Sequence, residues 1–148
     1  MIVKEIEIDA PPEVVFAYLT DPTKMVQWLG LLAELEPRPG GIFRVDANGR
    51  DVLRGTFVEV VPYSRVVFTW GYEDPAHRVP AGSTTVTIEL EAKGAGSRLR
   101  LVHSDLPEGP AREGHDQGWT HYLARLAIAA AGGDPGDDRL ADPAVRHG

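Results

Sequence analysis

Residues 109–131, GPAREGHDQGWTHYLARLAIAAA, form the longest helical pattern in the chain and decide its fold. The apolar side chains of this stretch recur at helical spacing on one stripe: Trp119, Tyr122, Leu123, Leu126, Ala127 and Ala130. One turn earlier the stripe reaches His115, whereas His121 and Arg125 are expected on the opposite, solvated side. Pro110 suits a first helical turn, and two glycines after Ala131 end the pattern. From His115 to Ala130 such a helix would be about 22 Å long, enough to lie across a sheet.

The chain before this helix reads as strands, with two short helices after the first strand. Residues 2–8 alternate between apolar and charged side chains, which predicts a half-buried strand. Short helices are expected after Pro11-Pro12 and over 23–29, and Asn48-Gly49 is a strong hairpin signal. Further strands are predicted over 42–46, 51–61, 65–72, 84–92 and 97–103, with a weak one over 33–37. Consecutive hairpins imply an antiparallel sheet, and the long helix must cover its apolar face, so the fold class is α+β.

Composition excludes several classes of function. The 148 residues suit one domain with a sizeable core, and the net charge of −7 argues against sequence-independent binding to nucleic acid or anionic membranes. The chain has no cysteine, hence no disulfide and no zinc-thiolate site. The sequence contains no run of about 18 apolar residues, so no membrane span is expected. The first residues are not typical of a signal peptide. We expect a cytoplasmic protein with no metal and no cofactor.

The last residues differ in character from the rest. Residues 133–148 are rich in proline, glycine and charge and lack apolar periodicity, which is typical of a disordered tail. The expected domain therefore spans residues 1–132, and the tail spans 133–148.

Several segments, taken in order, resemble a known family. Residues 10–16 (APPEVVF) after the first strand, Trp28 in a short helix, and residues 40–44 (GGIFR) are similar to the START-like helix-grip (SRPBCC) superfamily. Residues 55–60 (GTFVEV), residues 65–70 (RVVFTW) and Gly118-Trp119 resemble the branch related to the C-terminal domain of the activator of Hsp90 ATPase. The resemblance implies a curved antiparallel sheet wrapped around a long C-terminal helix, with a cavity between them that often holds an apolar ligand. It does not by itself imply chaperone contact, and a homodimer is left open.

Large side chains from the sheet and the helix are expected to line this interior. The ligand-binding candidates are Trp28, Phe43, Phe57, Phe68, Trp70, Ile88, Leu101, His103, His115, Trp119 and Tyr122. They could instead fill a solid core, as most aromatic residues do. One helix cannot fill a wide sheet, however, so we expect a cavity.

Two histidines are weak candidates for catalysis. His103 shares the leucine face of its strand, and His115 lies on the inward stripe of the long helix. An imidazole there could orient a ligand, act as a general base or bind metal with Asp46 or Asp105, but a hydrogen-bonded histidine at a pocket rim is the simpler interpretation.

Charged residues of the Asn48-Gly49 hairpin allow two interpretations. Arg44 and Arg54 either pair across strands on a solvated face or, if turned inward, clamp a ligand carboxylate. His77 lies in a proline-bounded loop, residues 75–80, that could act as a lid.

The leading hypothesis is therefore a non-enzymatic module that binds a small apolar or amphipathic ligand. The alternatives are a cyclase- or dehydratase-like enzyme that acts through the pocket histidines, and a protein-interaction or stress-response module related to Hsp90 activators.

Overall fold

A computed structural model describes residues 1–136 of the protein. Its elements are β1 (Ile2–Ile8), α1 (Pro12–Thr20), α2 (Pro22–Met25), β2 (Leu32–Leu35), β3 (Ile42–Asp46), β4 (Val52–Val61), β5 (Arg65–Trp70), β6 (Thr84–Lys93), β7 (Gly96–Ser104) and α3 (Pro110–Ala130). The predicted order of strand, two short helices, strands and long helix is confirmed. The tail predicted over 133–148 lies for the most part outside the described residues, so the domain boundary stays a prediction.

Seven strands form one antiparallel sheet in the order β1-β7-β6-β5-β4-β3-β2. The sheet follows chain order from β2 to β7, and β1 returns to pair with β7, with Ile2 opposite His103 and Ile8 opposite Ser97. Helix α3 covers the apolar face, as the helix-grip prediction requires. None of the helices among residues 1–136 is long and apolar enough to cross a membrane.

Two local predictions need correction. The second short helix was expected over 23–29 but spans Pro22–Met25. The Asp21 side chain sets its start by accepting from the Thr23 amide at 2.9 Å, and after Met25 the chain continues in turns whose amides bond three residues back, from Gln27 to Lys24 and from Trp28 to Met25. Arg125 was expected on the solvated side of α3. Its guanidinium instead donates to the carbonyls of Gln27, Trp28 and Pro135, so it ties the helix to the chain after α2.

A ladder of aromatic rings fills the middle of the interior. Phe43 stacks on Phe68 with ring centroids 4.1 Å apart, and Phe57 meets both rings edge-on. Trp70 continues the ladder towards α3, where its centroid lies 5.1 Å from that of Trp119. Aromatic pairs at these separations add to the free energy of burial. Towards its C-terminal end, α3 packs Leu123, Leu126 and Ala130 into the core.

The opposite face of the sheet carries a network of ion pairs. Arg65 pairs with Glu59 at 3.3 Å and with Glu89 at 3.0 Å, and Arg100 lies 3.6 Å from Glu5. These charges occupy the alternate positions of strands whose other side chains are buried, so strand alternation explains them.

Candidate functional site: a cavity beneath the first turns of α3

A cavity of about 330 Å³ lies between the N-terminal half of α3 and one end of the sheet. Its walls are mostly apolar or aromatic and are formed by Leu29, Ala47, Asp51, Leu53, Trp70, Tyr72, His77, Pro110, Ala111, Gly114, His115, Gly118, Trp119 and Tyr122. Four of the sequence-predicted residues line it: Trp70, His115, Trp119 and Tyr122. The other seven do not. Trp28, Phe43, Phe57, Phe68, Ile88, Leu101 and His103 are buried in the packed core beyond the walls.

Two glycines one helical turn apart form part of the α3 side of the cavity, beside His115, Trp119 and Tyr122. A Cβ atom on Gly114 or Gly118 would meet no heavy atom within 4 Å, because both positions face open space. The sequence suggests that a glycine beside Trp119 lets the helix approach the sheet closely, and for Gly118 that interpretation is wrong. A mid-helix glycine costs about 1 kcal/mol relative to alanine. At these two positions the absence of a side chain leaves that part of the wall bare and keeps volume in the cavity.

His103 lies behind the cavity wall in a linear chain of buried hydrogen bonds. Its Nδ1 accepts from the Trp119 indole at 3.0 Å, so its proton must lie on Nε2. That N–H donates to the Thr84 hydroxyl at 2.8 Å, and the hydroxyl donates to the Trp70 carbonyl at 2.9 Å. Burial, with a smaller contribution from nearby His115, lowers the pKa of His103 to about 3. His103 is therefore a neutral structural residue with both nitrogens engaged.

His115 lines the cavity and is also fixed as a neutral imidazole. Its Nδ1–H donates to the Ala111 carbonyl at 2.7 Å, so Nε2 carries the lone pair. Nε2 receives the Trp70 indole N–H at 3.2 Å and the Tyr72 hydroxyl at 3.1 Å. Burial lowers the pKa of His115, and protonation at Nε2 would place a proton against the Trp70 N–H. The arrangement favours an acceptor nitrogen in the cavity wall.

The loop after β5 supplies the wall opposite α3. Tyr72 stands just past the end of β5, and its amide donates to the Val79 carbonyl at 2.9 Å, which closes the loop on itself. The His77 ring stacks on Tyr72 with centroids 3.7 Å apart, and its Nδ1 accepts from the Val79 amide at 3.0 Å. Burial lowers the pKa of His77. The sequence suggested a lid here but did not single out Tyr72, although its aromatic side chain at the end of an alternating strand was a usable signal.

Asp51 brings a carboxylate to the same end of the cavity. The turn between β3 and β4 fixes it, because the Asp51 amide donates to the Asn48 side-chain oxygen at 2.8 Å and the Asn48 amide group donates to Asp51 Oδ2 at 2.9 Å. Asn48 is itself only 5% exposed. The hairpin signal predicted the turn, but nothing in the sequence indicated that Asp51 would face the cavity.

Neither Arg44 nor Arg54 lines the cavity. Arg44 Nε lies 2.7 Å from Glu73 and Arg44 Nη1 lies 3.1 Å from Glu34, while Arg54 lies 3.1 Å from Glu73. These pairs lie on the outer face of the sheet, so the cross-strand interpretation holds and the inward carboxylate clamp is wrong. The side chain of Asp46, proposed as a metal ligand, accepts from the amides of Asn48 and Gly49. Within residues 1–136, no group of three or more His, Asp or Glu side chains is placed to hold a metal ion.

Comparison with known proteins places this architecture in a family. Residues 9–131 match the sequence profile described as "Activator of Hsp90 ATPase homolog 1-like protein". The chain belongs to this AHSA1-like family. With its helix-grip fold it is therefore a START-like protein of the branch that the sequence resembles. A comparison with curated proteins finds no match.

Solved structures of other proteins share the fold. The solution NMR structure of an AHSA1-like protein from Rhizobium etli is 44% identical, with 99% of this chain and 91% of that chain covered and a TM-score of 0.75. A protein from the dynemicin biosynthetic locus is 23% identical over 90% of this chain and 48% of its own, with a TM-score of 0.76. The Aha1 dimer from Colwellia psychrerythraea is 22% identical over 89% of this chain and 96% of its own, with a TM-score of 0.74. The last two similarities establish the fold alone.

Proposed function

We propose that this AHSA1-like protein binds a small apolar or amphipathic molecule in the cavity beneath α3. The observation that carries the proposal is the bare helix wall at Gly114 and Gly118, which borders a cavity of about 330 Å³. Alanine at either position would stabilise the helix and would fit without a clash. Glycine at these positions therefore keeps the space open at the expense of helix stability.

The size and chemistry of the walls support the same function. Ligand pockets of proteins typically measure about 300–1,000 Å³ and are lined mainly by apolar and aromatic groups with a few polar ones. This cavity lies at the lower end of that range, so it suits a molecule of one or two rings. Trp70, Trp119, Tyr122 and Tyr72 supply aromatic surface, and His77, His115 and Asp51 supply polar contacts at one end.

The hydrogen bonds favour binding over catalysis. Both nitrogens of His103 are engaged inside the core, and His115 is held as a neutral acceptor by three partners. A general base must exchange a proton with its substrate, and an imidazole fixed by its own neighbours is poorly suited to that role. The name of the family refers to Hsp90 activation, but no contact described above argues for a chaperone partner, so the proposal is confined to the cavity.

The test fills the cavity from the helix side. Equilibrium dialysis with 2-methoxynaphthalene, a neutral two-ring probe, should show saturable binding of one probe per protein molecule. Gly118→Leu should abolish that binding because the new side chain projects into the cavity, and its helical propensity should preserve the fold. Gln117→Leu adds the same side chain at the adjacent exposed position and should bind like the unchanged protein.

Two results would contradict the proposal. One is the absence of saturable binding to the unchanged protein. The other is equal binding by Gly118→Leu, provided that circular dichroism shows the variant to be folded. A small molecule retained by the protein from its own host, seen by native mass spectrometry and lost in Gly118→Leu, would support the proposal independently.

A further inference from the structure

The two halves of the long helix α3 differ in how they are packed. The buried side chains of α3 begin at Trp119 and continue through Leu123 and Leu126 to Ala130. Residues 110–118 are all at least partly exposed, and five of them line the cavity: Pro110, Ala111, Gly114, His115 and Gly118. Because most of the stability of a helix in a protein comes from packing, the half before Trp119 is held less firmly than the half after it.

The residues of the first half also favour the helix weakly. Gly114 and Gly118 have a lower helix propensity than alanine, and Gly109, at the start of the helix with a φ of 94°, has no side chain to cap the free amides. Arg112 Nη2 donates to the Leu106 carbonyl at 3.3 Å, but Arg112 Nε is buried without a hydrogen-bond partner among the described residues. A buried donor that is left unpaired costs free energy, so the first turn is further weakened.

Polar contacts hold this half of the helix on the sheet. His115 Nε2 accepts from the Trp70 indole at 3.2 Å and from the Tyr72 hydroxyl at 3.1 Å. Asp116 lies 2.8 Å from Lys4 on β1, but its side chain is 53% exposed, and exposed ion pairs add little stability. The closed position of the first half therefore depends chiefly on the hydrogen bonds of one imidazole.

We propose that residues 110–118, here called the gate, unfold and refold as a local unit and admit the ligand to the cavity. The half of α3 from Trp119 onward stays packed while the gate opens. This inference rests on the proposed binding function, because it describes entry to the same cavity. A bound ligand favours the closed gate, since its contacts with Gly114 and Gly118 exist only in that state.

Amide hydrogen exchange, followed by NMR without ligand, tests whether the gate opens alone. The amides of residues 115–118 bond to carbonyls within the gate and should exchange at least about tenfold faster than those of residues 126–130. Gly114→Ala should slow exchange at 115–118 about fivefold, because alanine favours the closed helix. The matched control is Ala124→Gly, the reverse change at an exposed position in the packed half. It should speed exchange at 126–130 and leave 115–118 unchanged.

A kinetic measurement tests whether the gate admits the ligand. Association of 2-methoxynaphthalene, followed by tryptophan fluorescence, should be about fivefold slower in Gly114→Ala than in the unchanged protein, because the gate is open less often. Saturating probe should slow exchange at residues 115–118 of the unchanged protein.

Three results have distinct meanings. Exchange at 115–118 that rises in Ala124→Gly as much as exchange at 126–130 would overturn the gate, because the two halves would open only together. An equal association rate in Gly114→Ala would overturn ligand entry through it. Failure of the probe to bind would contradict the proposed binding function and with it ligand entry, while the exchange measurement still decides whether the gate opens.

Discussion

The indole N–H of Trp119 on α3 donates to Nδ1 of His103 on β7 across 3.0 Å, inside the core. His103 is fully buried and Trp119 is 3% exposed, so water cannot substitute for either partner. Through Thr84 the same chain of hydrogen bonds continues to the Trp70 carbonyl on β5. His103 therefore connects the long helix to β7 and β6 and, through Thr84, to β5, next to the cavity.

Substitutions of Trp119 and of His103 should each destabilise the protein, and their effects should not add. Trp119→Phe leaves the His103 Nδ1 buried without a donor and removes ring volume, so we expect a loss of about 3 kcal/mol in the free energy of unfolding. His103→Leu should also destabilise, because the Trp119 N–H then lacks an acceptor. The double variant should lose at least about 1 kcal/mol less than the sum of the two, measured by urea unfolding. Additive losses would show that the two side chains act independently.

The buried histidines should make stability depend on pH. The pKa of His103 falls from the usual 6.5 to about 3 on folding. Between those values the unfolded chain binds a proton that the native protein does not, so the free energy of unfolding decreases as the pH falls. One such group contributes a slope of up to about 1.4 kcal/mol per pH unit. His77 and His115, whose pKa values are also lowered, add to the slope in the same direction.

The window from pH 5 to 6.5 isolates the histidines, because carboxylates such as Glu7 and Glu73, with pKa values lowered by Lys93 and Arg44, titrate below it. Urea unfolding across this window gives the dependence of the unfolding free energy on pH. Its slope should be smaller for His103→Gln than for the unchanged protein, by the amount that the uptake of about one proton contributes. The control is Gln117→Ala, at an exposed and non-titrating position on α3, which should keep the full slope. An unchanged slope in His103→Gln would contradict the buried neutral state.

Glycines of this protein should divide into two classes on replacement by alanine. Gly118→Ala should raise the free energy of unfolding by up to about 1 kcal/mol, because the new methyl group meets no atom and the helix propensity improves. Gly55→Ala should lower it by several kcal/mol, because a Cβ on Gly55 would collide with the backbone carbonyl of Thr69. Thermal unfolding measures both. A destabilised Gly118→Ala would mean that α3 lies closer to the sheet than described.

The sequence predicted most of the fold because most elements have a local signal. The alternation in β6 and β7, the Asn48-Gly49 turn and the apolar stripe of α3 each depend on neighbours in the chain, and each lies where the pattern indicated. The elements alone predicted an antiparallel sheet covered by the long helix, and the family resemblance added that the sheet curves around that helix.

The cavity was harder to predict because it depends on how side chains from distant elements meet. Phe43, Phe57 and Phe68 share the inward face with Trp70, yet they stack on one another and fill the space, so periodicity could not separate wall from core. Asp51 faces the cavity only because Asn48 holds its turn, and His77 does so only because its ring stacks on Tyr72. Arg125 departs from the helical stripe because backbone carbonyls near α2 lie within its reach.

The indole N–H resonances of the three tryptophans test the binding cavity most directly. Trp70 and Trp119 line the cavity, whereas the Trp28 indole donates to the Tyr18 carbonyl at 2.9 Å outside it and serves as an internal control. In a ¹⁵N–¹H correlation spectrum assigned with Trp→Phe variants, 2-methoxynaphthalene should saturably shift the Trp70 and Trp119 resonances and leave that of Trp28 in place. No shift at saturating probe, or equal shifts of all three, would contradict a ligand site beneath α3.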